Sequence, residues 1–141
     1  MRTCFRVVLP GLMLLFTVLL TAVAGSARPS DRIFFVPIDL GTLGGTYSQV
    51  AAVNDRGQVV GSSLTPQNTR HAFSWTQAGG MIDLGTLGGS ESVALALNRS
   101  GQVVGWSLIA GDTRVHAFLW TQTGGMIDLG TLGGSFSVAT Q

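Results

Sequence analysis

Eight residues, Ile-Asp-Leu-Gly-Thr-Leu-Gly-Gly, occur three times, beginning at Ile38, Ile82 and Ile127, and no other feature of the chain constrains its fold as strongly. Copies spaced by 44 and 45 residues mark a tandem repeat, in which one supersecondary unit is reused and each unit buries its apolar face against the next. The extra residue of the second interval lies just before His116, where Arg114-Val115-His116 stands against Arg70-His71, and slack of this kind is expected in a loop. The chain divides into a leader (1–27), a lead-in strand (28–37), a first unit (38–81), a second unit (82–126) and a third that breaks off (127–141). From that break the sequence leads us to expect a truncated product or assembly with further copies of the chain.

Within a unit, apolar residues alternate with period two over short runs bounded by glycine-rich turns, the pattern of strands and not of helices. Four strands per unit fit. The first covers about Ser92 to Asn98, with Val93, Leu95 and Leu97 expected on one face, and the second covers Gln102 to Leu108. Asn98-Arg99-Ser100-Gly101, like Asn54-Asp55-Arg56-Gly57, is a hairpin turn in which glycine takes the left-handed position. The third strand carries His71, Phe73 and Trp75 on one face, repeated as His116, Phe118 and Trp120, and the fourth is Met81 to Leu84. The expected fold is therefore all-β, with repeats of about 44 residues arranged like propeller blades. A β-solenoid or a small β-sandwich is the alternative. Either the Gly-Thr-Leu-Gly-Gly segment or the loop around Pro66 serves as the crossing between sheets. Two units and a fraction leave an apolar sheet face uncovered at each end.

The leader differs in composition. Arg2 and Arg6 precede an apolar run from Val7 to Ala24, and Ala22-Val23-Ala24 and Gly25-Ser26-Ala27 both offer small residues for cleavage, as in a secretory signal peptide. A secreted or periplasmic protein is expected, with no stable membrane span once the leader is removed. The only cysteine, Cys4, lies in that leader, so disulfides and thiolate metal sites are excluded from the rest. Beyond residue 27, six arginines against seven acids leave a net charge of −1, and the chain has no lysine. Such a balance disfavours nucleic acid, which needs a clustered positive surface.

The set His71-Ala72-Phe73 and His116-Ala117-Phe118, Asn-x-x-Gly-Gln-Val-Val-Gly at Asn54 and Asn98, the Trp-Thr pairs and the three octapeptides resembles the HAF family of bacterial extracellular repeats. That resemblance implies a secreted, β-rich repeat protein and carries no catalytic set.

Candidate chemistry is sparse. His71 and His116 are each the only histidine of their unit, which favours a structural hydrogen-bonding role over metal binding or acid–base work. Asp39, Asp83 and Asp128 each open a glycine-rich loop, where a lone carboxylate accepts backbone N–H bonds and falls short of the six to eight oxygens of a calcium site. The glycine-rich loops lack the lysine and helix of a phosphate cradle. Neither a Gly-x-Ser-x-Gly elbow nor a His-Glu-x-x-His run is present, and Glu91 is the only glutamate. Tyr47, Glu91 and Phe136 share one position of the repeat yet differ, which makes them candidate ligand contacts. Trp106, in step with Val104 and Leu108, is expected in the core. No cofactor or metal is expected. The function implied is a non-catalytic structural or binding scaffold, for surface polysaccharide, another extracellular protein or further copies of itself. The alternative is a fragment of a secreted propeller-type enzyme acting on polysaccharide.

If the leader is processed, exported protein begins at Gly25 or Arg28. N-terminal sequencing that finds Met1 retained in the membrane fraction excludes this.

Overall fold

The computed structural model describes residues 35–140, so the leader and the start of the lead-in segment lie outside the described residues. Residues 35–37, the described end of the expected lead-in strand, are not in a strand. From Pro37 onward the chain forms one compact unit. It is all-β, with two four-stranded antiparallel sheets that are not closed into a barrel or propeller. The first sheet comprises β1 (Ser48–Val53), β2 (Val59–Leu64), β3 (Arg70–Thr76) and β4 (Gly80–Asp83), in that order. The second repeats the meander with β5 (Gly88–Leu97), β6 (Val103–Ile109), β7 (Val115–Thr121) and β8 (Gly125–Gly130).

Local sequence accounts for the meanders. In both first hairpins the asparagine carbonyl accepts the glycine N–H three residues on, and Gly57 and Gly101 hold φ of +73° and +84°, a region closed to most side chains. The crossing between sheets is the Gly-Thr-Leu-Gly-Gly segment, since residues 84–87 join β4 to β5, whereas the Pro66 loop stays inside its sheet. The additional residue of the second unit is absorbed there too, but not where alignment placed it. Val115 is in β7, paired with Leu108, so residues 109–114 span what residues 65–69 span between Leu64 and Arg70.

One expectation about faces is corrected. The pairing of β5 with β6 shifts between Ala94 and Ala96, leaving Leu95 as an extra residue, and the same shift occurs between Val50 and Ala52 in β1. A bulge reverses the parity of every residue beyond it. Val93 thus shares a face with Trp106, while Leu97, paired with Val103, turns to the opposite face and packs on the core. The bulge is matched by glycine: a Cβ on Gly105 would collide with the Val93 carbonyl oxygen. The Val93 carbonyl thus takes the place a side chain would occupy, and Phe118, which pairs with Gly105, is fully buried.

The core lies between the sheets. Val60, Ala72 and Leu84 from the first meet Ala94, Val103 and Phe118 from the second, with Trp120 and Met126 packed around them. The second sheet thereby lays its aromatic face on the small-residue face of the first. Trp106 does not join this cluster. It lies on the far face of the second sheet with Ala117 and is half-buried. Trp75, on the side of the first sheet turned away from the second, is half-exposed and outside the cluster as well.

The two aligned tryptophans therefore differ in energetic weight. Trp120→Ala should cost about 3 kcal/mol, the low end for a large aromatic because Trp120 keeps some exposure, and Trp75→Ala distinctly less. Urea midpoints of the two variants check this, and equal shifts contradict it.

Candidate functional site

Hydroxyls and carboxylates repeat as strictly as the strands do. Ser92 Oγ donates to the Gly85 carbonyl at 2.6 Å and accepts the Ala72 N–H at 2.9 Å, so one buried hydroxyl ties β5 to the crossing loop and to β3 of the preceding sheet. Ser137 reproduces both bonds, to Gly130 at 2.6 Å and from Ala117 at 2.8 Å, from a segment beyond β8. Ser48 makes the first bond, to Gly41. Deeper in each sheet, Ser63 and Ser107 accept the N–H of Leu43 and Leu87 and donate to the carbonyls of Tyr47 and Glu91. Each serine thus satisfies backbone groups that burial would otherwise leave unpaired.

The histidines and aspartates are brought together. His71 Nδ1 lies 2.8 Å from Asp83 Oδ2, and His116 Nδ1 lies 2.9 Å from both oxygens of Asp128. The other function of each carboxylate is the expected one, as Asp39, Asp83 and Asp128 accept the N–H of Gly41, Gly85 and Gly130 at 2.7–2.9 Å. Burial pushes the Asp128 carboxyl up, but the bonds from His116 and Gly130 and the attraction of His116 outweigh it and hold the pKa below the ordinary carboxylate value.

An Asp–His pair with serines nearby has the composition of a hydrolytic triad, so the geometry decides what it does. Ser92 and Ser107 share a face with His116, yet their protons go to the Gly85, Glu91 and Leu108 carbonyls. His116 Nε2, the nitrogen a general base would present to a nucleophile, is buried and has no hydrogen-bond partner. The pair orients a ring and closes a turn. Among the described residues no group of three or more His, Cys, Asp or Glu side chains gathers where a metal ion could be held.

A groove of about 340 Å³ runs between the sheets on another side of the molecule, lined among others by Arg56, Gln58, Ser74, Gln102, Trp120 and Thr121. Gln58 donates to Ser74 Oγ at 2.9 Å. The lining contains no carboxylate and none of Tyr47, Glu91 and Phe136. Those three stand just before the serines 48, 92 and 137; Tyr47 and Phe136 are exposed, Glu91 half-buried, and the structure does not gather them into the groove. Reading the sequence missed the serines, although their constant position, seven residues after Gly41, Gly85 and Gly130, was the available signal. It also missed the groove, since its residues come from two units.

No family model, curated protein or solved structure matches this chain.

A carboxyl whose pKa is lower in the folded than in the unfolded chain stabilises the fold above about pH 4 and loses that contribution as pH falls through the lowered value. Asp128→Asn should therefore lower stability at neutral pH and flatten the decline below about pH 4. Denaturation midpoints from pH 7 downward measure this, and parallel curves for variant and parent remove Asp128 from the account.

Proposed function

We propose that this protein is a non-catalytic β-repeat scaffold, exported from the cell, that binds extracellular polysaccharide or protein. The observation that carries the reading is the recurring use of the repeated polar groups within the chain: the serine hydroxyls bond backbone, and each histidine is held by its aspartate. Polar groups occupied in this way build a framework and are not free to react. The repeat is the unit of that framework, since the second sheet and the segment after it dock through the same serine bonds. The chain's resemblance to extracellular repeats and its leader support export.

The groove between the sheets suits a polysaccharide better than it suits hydrolysis of one. Amide, hydroxyl and guanidinium groups beside an indole are the surface that sugar hydroxyls and sugar faces complement. Glycosidic cleavage generally uses two carboxyl groups flanking the bond, and this lining has none. Retention without turnover is the expected behaviour.

Incubation with a panel of extracellular polysaccharides tests it. The protein should sediment with at least one of them and release no new reducing ends, and Gln102→Ala and Arg56→Ala should each weaken retention severalfold. Release of reducing ends in proportion to protein overturns the scaffold reading in favour of the enzyme fragment.

A further inference from the structure

The joint between the two sheets leaves part of its own mating surfaces uncovered at opposite ends of the molecule, although Phe73, at the position of Phe118, is already fully buried. In the joint, the side of the second sheet bearing Ala94, Leu97 and Phe118 covers the side of the first bearing Ala52, Val60 and Ser74. Ala94 is fully buried there, and so is Val60. Their counterparts are open. Val50, at the position of Ala94, is 50% exposed, and Val53, at that of Leu97, is 64% exposed. At the other end Val104 and Leu119, at the positions of Val60 and Ser74, line an apolar groove of about 320 Å³ with Ala96, Leu97, Asn98 and Gln102. The joint is aligned by its turns: Asn54 Nδ2 donates to the Asn98 carbonyl at 3.0 Å, and Asp55 pairs with Arg99 at 2.6 Å.

We propose that the apolar groove over Val104 and Leu119 is the docking surface for the first hairpin of a second copy of this chain, so that copies stack head to tail. Resting on the scaffold reading, this names one partner and its surfaces. Two observations select a second copy. The groove and the Val50–Val53 surface repeat a joint already made within the chain, and the charges match, since Arg99 beside the groove would meet Asp55 of the arriving turn as it meets Asp55 of its own chain. An exposed pair of this kind adds little affinity but sets direction. Ser135 to Ala139 hold the edge of the docking surface, with Ser137 on the Ala117 N–H and the Ala139 N–H on the Gly105 carbonyl. In the stack Ser48 of the second copy takes the place of Ser137. The segment is therefore a placeholder, and assembly requires its release.

Sedimentation of the protein purified from the expressing cell, across a wide concentration series, tests this. Open-ended growth with concentration is expected. Val50→Asp and Leu119→Asp should each yield folded monomers, verified by circular dichroism, with Val53→Asp as the substitute if Val50→Asp unfolds. An equal mixture of a hairpin variant and the groove variant should form a heterodimer and nothing larger, because one intact hairpin meets one intact groove. Ser137→Ala should tighten association about fivefold, the equivalent of one hydrogen bond. A parent that stays monomeric, a parent dimer that never grows, or a mixture that stays monomeric overturns the stack. Sugar binding and localisation report separately on the scaffold reading, so either can fail without the other.

Discussion

One serine hydroxyl between two sheets is the contact on which the rest of the structure depends. Ser92 is buried, and its Oγ both closes the loop that crosses from β4 to β5 and accepts a backbone N–H from the strand on which it rests. A sheet whose core-facing side is alanine, valine and serine offers little apolar area, so alignment of the next sheet falls to such directional bonds. A methyl in place of the hydroxyl would leave the Ala72 N–H and the Gly85 carbonyl without it, and a larger side chain would hold the sheets apart.

That closeness explains the division of labour between the faces. Phe118 lies beside Gly105, Trp120 and Met126 pack around the buried cluster, and the opposing surface stays small so that the two sheets approach closely. The same rule places the histidines. In each ring beside the aromatic row, Nδ1 is paired with the aspartate twelve residues on, which also caps the next glycine-rich turn. His116 and Asp128 are in this sense an extension of the packing, with Nε2 buried and without a hydrogen-bond partner.

Where the joint is not repeated, it leaves open surface. The groove beside Gln58 and Gln102 lies where two turn regions from successive sheets stand side by side, and the groove over Val104 and Leu119 is lined by residues of the second sheet alone. Both follow from stacking sheets whose faces are alike but whose neighbours are not.

Much of this was legible in the residues. Period-two alternation, Asn-x-x-Gly turns and the triplicated octapeptide determined an all-β chain of four-stranded meanders, because strand periodicity and positive φ are local properties. The bonds from each Asp to the following glycine were legible for the same reason, spanning two residues. What depended on tertiary structure was everything that crosses between units. The bulge at Leu95 reverses a face only once β6 is fixed opposite it. Trp75 and Trp120 are equivalent in sequence and differ because one meets a neighbouring sheet and the other does not. Ser92 reads as an unremarkable polar strand residue until Ala72 lies 2.9 Å away. That the two sheets stand unclosed was likewise decided by tertiary structure, because periodicity along the chain carries no record of how successive units meet.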